Sequence, residues 1–207
     1  MRVPLVFHVD EVLLPHSSTS LKFRDARRGI LEYVGQSEDG TVFLTDLEGK
    51  AGTVSRIVRL QPQGEEGVYV GSVLGLQRGI LTRRFVSEEY RIEFGDVQTF
   101  PEPSDEDRAA ALDFVRWLDP ALLQLPDPLV EIGLAALRLR DEADPIAYLY
   151  RVASLFLRSS PGRREFLLLS DVGEQVGYLL QVIRRASLTG ELSGWTPRLA
   201  GAERVPH

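Results

Sequence analysis

The chain has 207 residues, 43% of them apolar and 26% charged, with a net charge of −6. That length can bury a core as one large domain or two small ones. The acidic balance argues against a broad electrostatic footprint for nucleic acid, while leaving room for a local patch. The absence of cysteine removes disulfides, thiolate nucleophiles and thiolate-ligated metal sites, and gives no support for secretion.

The opening stretch MRVPLVFHVDEVLLPHS is hydrophobic in pieces, but Asp10 and Glu11 cut it, so it lacks the apolar core of a secretory leader. No segment approaches the about 18–20 uninterrupted apolar residues of a bilayer span. The expected location is cytoplasmic, with no membrane partner.

The first half reads as strands. VPLVF (3–7) and EVLL (11–14) are short apolar runs bounded by polar residues. Between EVLL and the apolar residues near Phe23 lie Pro15, His16 and the hydroxyl run Ser17 to Ser20, a composition that favours a turn bonded to its own backbone. FRDARRGILEYV (23–34) places Ala26, Ile30 and Val34 about one turn apart and predicts an amphipathic helix. TVFLTDL (41–47) follows the turn signal EDG and has the β-branched enrichment of a strand. GTVSRIVRLQ (52–61) alternates imperfectly, which predicts a bulge near Ile57–Val58. QGEEG (63–67) is a hairpin loop, VYVGSVLGL (68–76) returns from it, and YRIEFGDVQTF (90–100) supplies one more strand.

After FPEPSDEDR (100–108) the period changes from two to about 3.6. Four or five helices are expected. Asp127-Pro128, Asp144-Pro145 and Ser160-Pro161 each place a capping side chain before a proline at the first helical position. Tyr148, Tyr150, Phe156, Phe166 and Tyr178 recur at helical spacing and are expected to pack inside. The fold class is α+β, with a β-rich lobe over 1–100, a helical bundle over 101–189 and an irregular tail over 190–207.

Catalytic and metal chemistry finds little material. The histidines are His8, His16 and His207, and none has a partner at metal-ligand spacing. His16 with Ser17 or Ser18 offers the residue types of a hydrolase, but no strained elbow carries them. DLEGKAGT (46–53) lacks the first loop glycine and the hydroxyl of a phosphate-binding loop. The arginine pairs Arg27-Arg28, Arg83-Arg84, Arg163-Arg164 and Arg184-Arg185 could grip phosphates if they converged. In an acidic chain with carboxylates nearby, solvated surface is the expectation. No cofactor and no metal are assigned.

The ordered set of segments resembles a known family. VPLVFHVDEVLLPHSSTSLKFRDARRGILEYV is similar to the start of the amino-terminal domain of Lon proteases. GTVSRIVRLQPQGEEGVYVGSVLGLQRGIL looks like the central hairpin of that family, and EEYRIEFGDVQTFPEP like the strand that follows. DPIAYLYRVASLFLRSSPGRREFLLLSDVGEQVGYLLQVI matches its helical part, so the resemblance is collinear over about residues 3–187. It implies a pseudobarrel lobe similar to RNA-binding PUA-like folds, with one helix, followed by a compact helical bundle. The periodicity lapses at Thr189-Gly190, which reads as a free-standing member without the ATPase and protease domains.

The resemblance implies a non-catalytic module that engages exposed or unfolded polypeptide segments, as an adaptor or regulator of ATP-dependent proteolysis with a protease as partner. Val12, Leu14, Pro15, His16, Gln77 and Arg78 are the candidate polypeptide contacts. The alternative is a nucleic-acid-binding protein that uses the PUA-like lobe and clustered arginines.

Overall fold

A computed structural model describes residues 1–7, 12–24, 28–37, 39–47, 49–64, 67–141 and 144–192. The chain divides into two units, Met1–Glu102 and Pro103–His207. The fold is α+β. The first unit holds β1 (Arg2–Phe7), β2 (Ser18–Phe23), α1 (Arg28–Gln36), β3 (Thr41–Thr45), β4 (Ala51–Pro62), β5 (Tyr69–Val86) and β6 (Glu93–Thr99).

Strand order is β2-β5-β4-β3-β1-β6, and β6 also pairs with β5. Five strands therefore close a ring from β5 through β4, β3, β1 and β6 back to β5. The 18-residue length of β5 makes this possible. One edge of β5 is taken by β4, and the other is shared, first by β2 from Tyr69 to Leu74 and then by β6 from Gly79 to Val86.

Successive strand residues point to opposite faces. Val3 and Leu5 join Phe43, Val54 and Val97 in one core cluster, whereas Val6 joins Val42, Leu44, Phe23, Ile30 and Phe94 in another. With both faces of β1 and β3 buried, their sequences read as continuous apolar runs instead of alternations. α1 adds Ile30 and Tyr33 to the second cluster, and Tyr33 meets Tyr90 and Phe94 edge-on at 5.4 and 5.1 Å.

Several local expectations change. Residues 12–14 of the predicted EVLL strand form no strand, and of the hydroxyl run only Ser17 belongs to a turn, because Ser18 to Ser20 begin β2. Leu21 and Phe23 face the core while Ser20 and Lys22 face water, a period of two that makes SLKF a strand. The helix consequently starts at Arg28 and not at Phe23, and Ala26 lies outside the described residues. β5 continues ten residues past the predicted end at Leu76, to Val86. Its glycines are not terminators: a side chain on Gly79 would press on Val97 and Phe43. The expected bulge is present, since Ile57 pairs with Val73, Arg59 with Ser72, and Val58 is left over. Glu65 and Glu66 of the hairpin loop, and His8, lie outside the described residues.

The second unit contains α2 (Asp105–Leu122), a 3-10 turn (Asp127–Leu129), α3 (Val130–Arg138), α4 (Pro145–Phe156), α5 (Ser160–Leu168) and α6 (Val172–Thr189). Ser104 and Asp107 cap α2 reciprocally. Asp144 caps α4 as expected, its Oδ1 accepting from Ile146 N–H at 3.1 Å with Pro145 in the first turn. The other two caps differ. Ser159, not Ser160, accepts from Gly162 N–H at 3.3 Å, and Asp127 caps nothing because Pro126 holds the cap position. Proline fits at the second helical position too, where its missing N–H is still among the orphans.

Tyr148, Tyr150, Phe156, Phe166 and Tyr178 are all buried, as their spacing predicts. Tyr150 donates to Gln175 Oε1 at 3.1 Å, and Gln175 Nε2 donates to Phe166 O at 3.0 Å. Burial pushes the Tyr148 hydroxyl up to about 12, with the Asp119 carboxylate adding to the shift. Arg163 departs from its expected solvated position. It is buried, and donates to Leu157 O at 2.6 Å and Ser154 O at 3.0 Å. Those carbonyls at the end of α4 have no intrahelical partner, and the guanidinium satisfies them. Gly190, at φ 69°, closes α6; residues 193–207, and with them most of the expected irregular tail, lie outside the described residues. Among the described residues no helix is long and apolar enough to cross a membrane.

Candidate functional site

Of the six residues singled out in the sequence, Gln77 and Arg78 lie in the middle of β5 and the turn holding Leu14, Pro15 and His16 docks beside them, most of the six being buried. Val12 and Leu14 have no exposure, Arg78 has 7%, and Pro15 is buried; only His16 and Gln77 are partly open. Ser17 N–H donates to Leu14 O at 3.2 Å, which makes Leu14-Pro15-His16-Ser17 a β-turn. Proline at the second position and φ 58° at His16 are the pattern of type II. The turn docks on β5 through His16 N–H to Gly75 O and Gly75 N–H to Ser17 O, both 2.9 Å. A side chain at Gly75 would collide with the Leu14 carbonyl, so only glycine fits. Thr53 Oγ1 donates to Leu13 O at 2.5 Å from the β4 side.

Gln77 and Arg78 hold the segment that leaves β6. Gln77 Nε2 donates to Phe100 O at 2.7 Å, and the Arg78 guanidinium lies 3.9 Å from the Phe100 ring centroid. Together the turn and Phe100 flank β5 where its pairing passes from β2 to β6. This is a seam, where backbone hydrogen bonds and inward side chains join the turn and the end of β6 to β5. Ser17 Oγ is buried and has no hydrogen-bond partner among the described residues.

The accessible surface lies elsewhere in the same unit. Past Arg56, which pairs with Thr41 of β3, β4 pairs with β5 alone among the described residues. The end of β4, the first half of β5 and β2 thus form a three-stranded arm. Residues opposite each other in register share a face. One face carries Leu21, Gly71 and Leu60, then Phe23, Tyr69 and Pro62. The other carries Ser20, Ser72 and Arg59, then Lys22, Val70 and Gln61.

Between α1 and the first face runs a groove of about 470 Å³, lined by Arg24, Arg28, Leu31, Glu32, Leu60 and Tyr69. Leu60 is 41% exposed and Tyr69 37%. Lys22, Arg24, Arg56 and Arg59 are exposed on or beside this arm, and Arg28 is exposed on α1 across the groove, an unusual density of cations for a chain of net charge −6. Arg28 has a partner in Glu32, at 3.1 Å in a solvent-exposed pair. Sequence reading missed the patch because its residues come from two segments that only the β2-β5-β4 pairing brings together.

Comparison with solved structures identifies the architecture. The N-terminal domain of the Mycobacterium avium complex Lon protease superposes with a TM-score of 0.67 and 21% identity, over 89% of this chain and 98% of that one. The fold is that of a Lon N-terminal domain. The Lon N-terminal domain protein from Xanthomonas campestris gives 0.62 and 21%, over 87% of this chain and 98% of the other. No family model matches the sequence, and no curated protein matches it significantly. The Lon-N likeness thus rests on three-dimensional arrangement, in line with the collinear resemblance of the segments.

Proposed function

We propose that this chain is a non-catalytic protein-binding module that engages exposed or unfolded polypeptide segments and serves as an adaptor or regulator of ATP-dependent proteolysis. The observation that carries the reading is the Lon-N fold, shared with two Lon N-terminal domains over nearly their entire length. The arm supports it. Leu60 and Tyr69 offer apolar contact beside exposed cations and strand edges that have no partner among the described residues, and these are the means by which sheets hold extended peptides. The six seam residues enter this reading as supports of the arm, with His16 and Gln77 at its accessible margin.

The test is fluorescence anisotropy of a labelled, permanently unfolded polypeptide titrated with the chain at two salt concentrations, with a native folded protein as control. Saturable binding of the unfolded polypeptide is expected, with a fall on adding salt much smaller than the steep one that nucleic-acid binding requires. No binding at high micromolar concentration overturns the reading. The exposed cations of the arm favour a second reading, nucleic-acid binding. It requires affinity for an oligonucleotide that falls steeply as salt rises.

A further inference from the structure

We propose that the free edge of β2 is the strand to which an extended polypeptide segment adds, and that it selects segments alternating apolar with acidic residues. The inference rests on the polypeptide-binding reading and assigns the surface and the pattern it takes.

The register decides which groups are available. Gly75 N–H donates to Ser17 O at 2.9 Å, so Ser17 and Gly75 form a hydrogen-bonded position of the antiparallel ladder. Such positions alternate. Thr19, Leu21 and Phe23, opposite Val73, Gly71 and Tyr69, therefore bond to β5. Ser18, Ser20 and Lys22 direct their N–H and C=O groups to the opposite edge, where β2 has no partner strand among the described residues.

The two outer edges of the arm differ in protection. The β4 edge carries the bulge at Val58, Arg59 and a terminal Pro62, devices that keep another strand from pairing. β2 keeps an unbroken six-residue register with β5 and contains neither bulge nor proline. Its one charge is Lys22, with Arg24 just beyond the strand end, and both are exposed. An added strand sets alternate side chains beside Ser18, Ser20 and Lys22 on one face, and beside Leu21 and Phe23 on the other. Acidic residues suit the first row and apolar residues the second. A second copy of β2 suits it less, because it brings its own Lys22 and Arg24 onto the same sheet.

Ser20→Pro tests this in the full chain. The N–H it removes faces the free edge, and proline is admitted on such an edge. The probe is labelled, reduced and carboxymethylated α-lactalbumin, which is unfolded and acidic. Ser20→Pro is expected to weaken binding by about tenfold or more, Ser20→Ala to leave it within about twofold, and circular dichroism to stay that of the wild type. Hydrogen exchange on the wild type gives a second readout: the Ser18, Ser20 and Lys22 amides slow when the probe is added. Folded Ser20→Pro that binds like wild type, with those amides unprotected, overturns the inference and leaves the functional reading standing. A wild type that binds no unfolded polypeptide overturns both. Conversion of a dimer to a monomer by Ser20→Pro assigns the edge to a second copy and overturns the proposal.

Discussion

Arg78 lies over Phe100, its guanidinium carbon 3.9 Å from the ring centroid, while Phe100 N–H donates to the Arg78 carbonyl at 3.2 Å. One residue thus holds the chain leaving β6 twice, by backbone and by side chain. Arg78→Ala should destabilise the chain by about 1–2 kcal/mol in urea unfolding, from the lost cation–π contact and stem packing. Arg78→Lys should recover part of this. A loss below about 0.5 kcal/mol for Arg78→Ala would show that the stack does not secure the segment.

Leu14 and His16 share a turn but should respond very unequally. Leu14 has no exposure, and Leu14→Asp should cost more than about 4 kcal/mol by burying an unpaired carboxylate, against about 2–5 for Leu14→Ala. His16 occupies φ 58°, where glycine is free of the side-chain strain. His16→Gly should cost far less than either Leu14 variant, because it relieves the backbone strain while giving the unfolded chain greater freedom. Melting temperatures of the three variants check the order. Substitution at Leu14 is therefore a probe of folding before it is a probe of binding.

The helix starts give a matched set. Asp144 and Ser159 accept from backbone N–H groups, whereas Asp127 makes no cap hydrogen bond. Asp144→Ala and Ser159→Ala should each cost about 0.5–2 kcal/mol and Asp127→Ala well under about 0.5. Equal losses at all three positions in urea unfolding would contradict the assignment.

Glu165 supplies the pH dependence. Burial raises its carboxyl above the ordinary range, and the hydrogen bond from the Tyr178 hydroxyl, at 3.3 Å, works in the opposite direction. The folded chain therefore holds this proton more tightly than the unfolded chain. The associated stability is complete below the ordinary carboxylate value and is lost as pH rises through the raised one. Glu165→Gln should lose less stability than wild type between about pH 4 and about pH 7. The side chain is partly solvated, so screening keeps the difference within about 1 kcal/mol. Parallel urea curves across that range would remove Glu165 as the cause.

The sequence by itself determined the change from strand to helix near Pro101, the bulge at Val58, the aromatic core of the helical unit and the Asp144 cap. Each is written in local periodicity or in the reach of one side chain to its own backbone. The Lon-N resemblance was legible for a related reason, because the order of turns and apolar runs is a local record of the fold. Only the tertiary structure decided that Leu14 and Arg78 face inward, that β5 runs on to Val86, and that Arg163 is buried on the end of α4. It also decided that Lys22, Arg24, Arg56 and Arg59 meet on one arm, with Arg28 of α1 beside them. A residue's identity states what it can bond to, but strand pairing between distant segments sets what lies opposite it. Exposure and charge density at a surface follow from that pairing.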